Sequence, residues 1–220
     1  MKICFICPEY PQGPHGGVGA IVQLLARDLV ARGHSVRVIG VYPENYPAPD
    51  YEEDQGVRVW RLRTRPGRWA WIRPWIRQYQ LIKGWIDEKE IELVEAPDSR
   101  GWFACWPQLP TPLVLRANGA NIYFAKVLGK QANRLTRWLE LQAYRRADAV
   151  IAASEYTAQI THDLLDFAKK FHVIYNGMEI PAEPDETKRR KNKLIFSGTL
   201  NRKKGIIPLI KAAVALYQQG

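Results

Sequence analysis

Residues 1–33, MKICFICPEYPQGPHGGVGAIVQLLARDLVARG, decide the fold of this chain. The apolar run at 2–7 predicts a strand, and a turn rich in proline and glycine follows it and ends at Gly16 and Gly17. Apolar residues then recur at helical spacing until Gly33, which ends the pattern as a glycine just past a helix should. The order strand, glycine loop, helix is the usual beginning of a doubly wound α/β domain.

The glycine loop suggests a binding chemistry. No Ser, Thr, Asp or Asn stands just before Val18 to cap the first N–H groups of the predicted helix. Gly16 and Gly17 lack a Cβ, so another molecule can approach the backbone closely. Uncapped N–H groups at the positive end of a helix dipole suit an anion, typically a phosphate. The alternative is that the two glycines only shape a tight turn and leave the N–H groups to water.

The composition narrows the class of protein. The 220 residues carry a net charge of +10, which favours an anionic partner such as a nucleotide, a phospholipid surface or a nucleic acid. An odd number of cysteines does not predict a disulfide framework, and the scattered histidines predict no metal site. The first apolar run is too short for a secretory signal, and no run is long enough to span a membrane, so we expect a cytoplasmic protein.

Further strands and helices alternate along the chain, which predicts a parallel sheet covered on both faces. The predicted strands are 34–41, 57–62, 91–95, 113–115, 149–152 and 171–175. Between the first two of these, residues 42–55 are rich in proline and acidic residues, and they predict a loop.

The composition shifts near residue 180. Residues 1–180 form the predicted first domain, and 181–192 predict a linker because they are rich in Pro, Glu, Lys and Arg without apolar periodicity. Residues 193–220 repeat the opening pattern, with a strand at 194–196, a glycine turn and a helix. One strand and one helix cannot bury a sheet face. We therefore expect a second Rossmann-like domain that is incomplete, and a sequence that is a fragment.

Polar residues follow two of the predicted strands. Asp98 comes after the fourth strand, and Arg116, Asn118 and Asn121 come after the fifth. Ligands bind at the carboxyl ends of the strands in a parallel sheet. The alternative for Asp98 is that it caps a helix over 101–106.

Residues 58–85 interleave arginines with tryptophans, and the pattern becomes helical from Trp71. This combination suits a membrane–water interface, which predicts contact of residues 68–85 with an anionic membrane surface. The alternative is a helix that packs its tryptophans on the sheet and exposes its arginines to water. No nucleic-acid motif accompanies the charge, so we expect no nucleic-acid partner.

Several short motifs share an order and spacing that a known family has. The carriers are Gly16-Gly17-Val18, Arg32-Gly33-His34-Ser35-Val36, Glu95-Ala96-Pro97-Asp98, Ser154-x-Tyr156, Val173-Ile174-Tyr175-Asn176-Gly177, and Phe196-Ser197-Gly198-Thr199-Leu200 with Lys204-Gly205. Together, over almost the whole chain, they resemble the GT-B fold glycosyltransferases of the family 4 type.

The resemblance implies an activity and its substrates. Enzymes of that family transfer a sugar from a nucleotide diphosphate sugar to an acceptor with retention, and they need no divalent metal or other cofactor. We therefore expect a saccharide or a lipid-linked acceptor, and a role in polysaccharide biosynthesis.

The resemblance also assigns site residues. Gly16 and Gly17 would approach the donor diphosphate, Lys204 would neutralise it and Arg202 would lie beside it. Asp98, Arg116 and Asn121 are expected on the acceptor side, and Asn118 takes the position of the family's catalytic histidine.

Two departures from the family pattern leave other functions open. Asn118 cannot carry a proton near neutral pH, and the family's glutamate pair would lie beyond residue 220. We therefore expect residues 1–220 alone to be inactive, and we keep as an alternative a non-catalytic domain that binds a saccharide or glycolipid. A nicotinamide-dependent dehydrogenase is disfavoured because the glycines at 13, 16, 17 and 19 do not match G-x-G-x-x-G.

Overall fold

The computed structural model describes residues 1–67, 69–127, 129, 131, 133–165, 169–180, 193–198, 200 and 204–218. The chain divides into two compact units, Met1–Glu179 and Ile180–Gly220. The predicted linker, residues 181–192, lies outside the described residues.

The first unit alternates strands and helices. Its described strands are β1 (Lys2–Ile6), β2 (Ser35–Pro43), β3 (Tyr51–Asp54), β4 (Val57–Thr64), β5 (Leu93–Pro97), β6 (Leu113–Ala117), β7 (Ala149–Ala152) and β8 (Phe171–Val173). Its described helices are α1 (Gly17–Ala31), α2 (Ile72–Asp87), α3 (Asn121–Val127), α4 (Arg134–Arg146) and α5 (Glu155–Leu165), with a 3₁₀ turn at Ser99–Gly101.

The strands form one sheet in the order β3-β4-β2-β1-β5-β6-β7-β8. Every pair is parallel except β3 with β4, which confirms the predicted α/β fold with a doubly wound sheet. The strand order reverses between β1 and β5, where β2 continues to one side and β6 to the other. In open parallel sheets the crevice at this switch point is the usual ligand site.

Side-chain alternation along β1 builds a core on each face of the sheet. Ile3 and Phe5 belong to the cluster that includes residues of α1, whereas Cys4 belongs to the cluster that includes residues of α2, α4 and α5. Cys7 lies in the α1 cluster, so the CxxC spacing places its two thiols in opposite cores as a strand requires. Burial raises the pKa of each of these thiols to about 12.

The prediction of a loop over residues 42–55 is wrong at its end, because Tyr51–Asp54 forms an edge strand antiparallel to β4. Gln55 and Gly56 join the two strands, and both have positive φ, as a two-residue hairpin turn of type I′ requires. The buried Arg61 of β4 pairs with Glu52 of β3. The acidic composition that suggested a loop therefore serves ion pairing with the arginines of the next strand.

The second unit contains α6 (Ile206–Gln218). Residues 194–196, predicted as a strand, have no regular secondary structure. Within the described residues no strand pairs with them, and a strand without ladder hydrogen bonds is not stable. A search of the described residues finds no helix with the length and apolar character that crossing a membrane demands.

Candidate functional site

The amino-terminal tip of α1 lies at the carboxyl end of β1, and it is not bare. Glu9, from the loop after β1, accepts a hydrogen bond from Gly19 N–H at 3.0 Å. Its carboxylate oxygens also lie 3.0 Å from where a Cβ on Gly16 would stand. The expectation of an uncapped tip is therefore wrong, because a half-buried carboxylate of the protein itself occupies this electropositive position.

The structure requires glycine at one position of this loop and leaves open space at another. A Cβ on Gly19 would lie 1.9 Å from the carbonyl oxygen of Glu9, so the close packing of α1 on the loop requires glycine there. A Cβ on Gly17 would meet no atom within 4 Å, and this residue is exposed. The backbone at Gly17 is thus accessible to a ligand, and contact of Gly16 and Gly17 with a diphosphate stays a prediction.

Asp98 lies under the turn that follows β6, with a residue exposure of 1%. It accepts hydrogen bonds from Asn118 N–H and Gly119 N–H, each at 3.2 Å, and from the Tyr144 hydroxyl at 3.2 Å. Burial raises the pKa of Asp98 to about 7, although these three donors oppose the shift and the nearby charge of Glu140 adds to it.

The predicted helix cap is not formed, because the Asp98 side chain caps neither the 3₁₀ turn at Ser99–Gly101 nor a longer helix. A carboxylate this buried positions the turn after β6. Contact of Asp98 with an acceptor stays a prediction.

A second buried carboxylate holds the other side of the same turn. Glu140 of α4 accepts hydrogen bonds from Asn121 N–H at 2.9 Å, from Asn121 Nδ2 at 2.8 Å and from Ile122 N–H at 3.2 Å. It thereby caps the beginning of α3. Glu140 was not predicted as a site residue, because it lies in the middle of a helix and far from the turn in sequence.

Asn118 is fixed at its backbone and less constrained at its side chain. Its N–H donates to Asp98, whereas its side-chain Nδ2 donates to Arg116 O at the longer distance of 3.4 Å. The side chain is half-buried. An amide at the carboxyl end of β6 offers a donor and an acceptor to a ligand hydroxyl.

Arg116 is committed to an ion pair. Its Nε and Nη2 lie 2.6 and 3.2 Å from the two carboxylate oxygens of Glu95 on β5, and both residues are buried. Two-point pairing of this kind fixes the guanidinium. Arg116 also lines a cavity with Asp28 and Tyr175, so it is near solvent without being exposed.

The residues predicted in the second unit are described only in part. Arg202 lies outside the described residues. Lys204 is exposed and precedes α6 by two residues. A search of the described residues finds no group of three His, Cys, Asp or Glu side chains that could hold a metal ion.

The arginine- and tryptophan-rich stretch divides into two parts. Arg61 and Arg63 of β4, and Arg65 just after it, pair with acidic residues of the preceding segment. Trp60 packs against Trp85 of α2 at 4.6 Å between ring centroids, with the Arg37 guanidinium over both rings. This part supports the interpretation in which tryptophans pack on the sheet. In and before α2, Trp69, Trp71, Ile76, Arg73 and Arg77 are exposed.

Comparisons with known proteins give the family and the fold. The family described as Glycosyltransferase Family 4 matches residues 15–180. An uncharacterized glycosyltransferase of Methanocaldococcus jannaschii is 25% identical over 244 residues that include all of this chain and 60% of the relative. The chain therefore spans less than two thirds of the length of this relative.

Two solved structures share the fold. Sucrose-phosphate synthase from Thermosynechococcus elongatus is similar with a TM-score of 0.61 at 17% identity, over 79% of this chain and 47% of that one. HepE from Anabaena, solved in complex with UDP, is similar with a TM-score of 0.54 at 17% identity, over 81% of this chain and 45% of that one. These likenesses confirm the GT-B type of fold. With the family match over most of its length, the chain belongs to Glycosyltransferase Family 4.

Proposed function

We propose that this protein transfers a sugar from a nucleotide diphosphate sugar to an acceptor that binds at the carboxyl ends of β5 and β6. The transfer proceeds with retention and without a metal ion. Family membership supports glycosyl transfer. HepE was solved with UDP, and the catalytic domain of starch synthase IV from Arabidopsis thaliana, similar with a TM-score of 0.52, was solved with ADP, so sugars of these two nucleotides are the first donors to test.

One observation carries the acceptor side of this proposal. Two buried carboxylates, Asp98 and Glu140, hold the turn from Asn118 to Ile122 from below. A turn so fixed holds the backbone that carries Asn118 in one place, and a pre-organised site binds and orients a substrate at a small entropic cost.

Because residues 1–220 alone are expected to be inactive, the test is transfer of a labelled sugar from UDP and ADP sugars by the full-length protein and by its Asn118→Ala variant. We expect the variant to lose at least tenfold in kcat/KM with little change in stability, because the side chain makes a single long hydrogen bond. Gln80→Ala, an exposed residue of α2, is the matched control. If the Asn118→Ala variant has the activity of the wild type, Asn118 does not contribute to the site.

Mechanism is tested on the same reaction. We expect the anomeric configuration of the donor sugar to be kept in the product, as read by proton NMR. We also expect the rate to persist in excess EDTA. Inversion, or complete loss of the rate with EDTA and its recovery with Mg²⁺, would contradict these two parts of the proposal.

A second function has one observation in its favour. The resemblance implies that Asn118 takes the position of the family's histidine, and an amide cannot carry a proton at neutral pH. This favours a domain that binds a saccharide or glycolipid without transfer. If Asn118→His gains nucleotide-sugar turnover that the wild type lacks, the binding function is supported; turnover by the wild type dismisses it.

Contact of residues 68–85 with an anionic membrane remains a prediction, as does a cytoplasmic location. The exposed Trp69 and Trp71 beside Arg73 and Arg77 support the membrane interpretation. Sedimentation with vesicles of anionic phospholipid tests it. We expect binding at low salt that weakens in Arg73→Gln with Arg77→Gln, and no sedimentation at low salt ends the proposal.

A further inference from the structure

A cavity of about 730 Å³ opens at the carboxyl ends of β1, β2, β4 and β5. Ile6 of β1 and Pro97 of β5 line it, so it lies at the point where the strand order reverses. This is where open α/β sheets bind ligands, and the volume is that of a small-molecule site.

Tryptophans form the wall of the cavity that faces the strands. Trp71 and Trp75 contribute from the beginning of α2, and Trp102 contributes from the segment after the 3₁₀ turn. The ring centroids of Trp71 lie 6.1 Å from Trp75 and 6.2 Å from Trp102. Trp71 is 42% exposed, so part of this aromatic wall reaches the mouth of the cavity.

Two of the three tryptophans of this wall, and Gln78 beside them, already have hydrogen-bond partners in the protein. Trp75 Nε1 donates to Trp102 O at 2.7 Å, and Trp102 Nε1 donates to Gln78 Oε1 at 2.6 Å. Gln78 Nε2 in turn donates to Ile39 O at 3.2 Å. A sugar ring in this cavity would bury hydroxyls with few partners, which is unfavourable, whereas a hydrocarbon chain needs no partner.

The cavity adjoins the proposed acceptor side. Pro97 and Ser99, which flank Asp98 in the chain, both line it. Asp98 holds the turn that presents Asn118. A molecule with a chain in the cavity can therefore place a polar end at the carboxyl ends of β5 and β6.

We propose that the acceptor is an amphiphile whose hydrocarbon chain binds in this tryptophan-walled cavity while its polar end lies at the Asn118 turn. This inference rests on the proposed function and narrows its acceptor to a lipid-linked class.

Cys105 provides a direct test because it lines the cavity and is exposed, whereas Cys4 and Cys7 are buried. The experiment measures the rate at which N-ethylmaleimide alkylates Cys105 in the presence of hexyl, octyl or decyl β-glucoside below micellar concentration, or of glucose. We expect the alkyl glucosides to protect the thiol, with a half-protecting concentration that falls about fourfold for each added methylene. Protection by glucose alone, or protection independent of chain length, overturns the inference.

Two variants at the same position separate filling of the cavity from loss of the thiol. Cys105→Trp places a ring in the cavity, and Cys105→Ser leaves the space open. Both changes are at an exposed residue, so we expect both variants to fold. By isothermal titration, decyl glucoside should bind Cys105→Trp at least tenfold more weakly than Cys105→Ser, and equal affinities contradict the inference.

Hydrolysis of the nucleotide sugar by the full-length protein without acceptor, measured in parallel, tests the proposed function by itself. Hydrolysis with no dependence of binding on chain length overturns the amphiphile and leaves the glycosyltransferase. Chain binding without turnover of any nucleotide sugar overturns the acceptor role and leaves a binding domain.

Discussion

In the loop after β1 and in the turn after β6, backbone N–H groups near the beginning of a helix donate to carboxylates, and the carboxylates differ in burial. Each lies at the carboxyl end of a strand and begins a helix whose first N–H groups need partners. After β1 the partner is Glu9, which is half-buried and reaches one N–H. After β6 the partners are Asp98 and Glu140, which are fully buried and together accept six hydrogen bonds.

The difference in burial sets what each place can do. A half-buried carboxylate is hydrated, so we expect that the anion of a ligand could displace Glu9 from the tip of α1 at a modest cost. A buried carboxylate with several donors cannot leave without orphaning them, so the turn after β6 is a fixed platform. One place is suited to a charged group that arrives and departs, and the other to orienting a substrate.

Among the substitutions that test this comparison, removal of the Glu140 carboxylate should cause the largest loss of stability. Glu140→Ala leaves two backbone N–H groups and the Asn121 amide without their acceptor, and we expect a loss of about 3–5 kcal/mol in the free energy of unfolding. Urea denaturation measures it. Glu88→Ala, at an exposed glutamate, is the control and should change stability by less than about 0.5 kcal/mol. Similar losses in the two variants would show that the turn is not held by Glu140.

The second largest expected effect is the dependence of the free energy of unfolding on pH. The folded pKa of Asp98, about 7, lies above the ordinary value of 3.8 for an aspartate, so the folded protein binds this proton more tightly than the unfolded chain. The resulting stability is complete below about pH 4 and is lost as the pH rises to about 7, by at most about 1.4 kcal/mol per unit. Asp98→Asn should lack this fall when unfolding is followed in urea from pH 4 to 8. Parallel curves for the two proteins would contradict the shift.

Substitutions at Gly19 and Gly17, near the beginning of α1, test how closely the loop after β1 packs on this helix. Gly19→Ala must displace the backbone at Glu9, and we expect the free energy of unfolding to fall by about 1–3 kcal/mol, as measured by thermal unfolding. Gly17→Ala meets no atom and should be neutral or slightly stabilising. Equal effects would mean that the loop does not pack on α1 as described.

The smallest expected change in stability is that of Glu9 itself. Glu9→Ala removes a cap and should cost about 1 kcal/mol. It should also raise the affinity for inorganic pyrophosphate several-fold by calorimetry, because the carboxylate no longer competes at the helix tip. Glu44→Ala, an exposed partner of Arg65, is the control for lost charge. An unchanged pyrophosphate affinity would argue against phosphate binding at Gly16 and Gly17.

Local sequence patterns correctly predicted the helices and strands that have a clear apolar periodicity. They failed for segments whose structure depends on pairing with another strand. The strand at 2–7 and the helix that ends before Gly33 follow from spacing alone, and the structure has both. The strand Tyr51–Asp54 was missed because four residues, three of them acidic, have little strand propensity, and pairing with β4 stabilises them. The strand predicted at 194–196 is not formed in the described residues, for want of such a partner.

The sequence by itself determined the doubly wound fold, the family and the placing of polar residues after strands, because periodicity and short motifs are local properties of the chain. Only the tertiary structure decided that Glu9 covers the helix tip, that Glu140 lies under Asn121, and that three tryptophans enclose a cavity at the switch point. Each of these contacts joins residues of separate elements. Their energy comes from burial and hydrogen bonding that exist only once the sheet has brought the elements together.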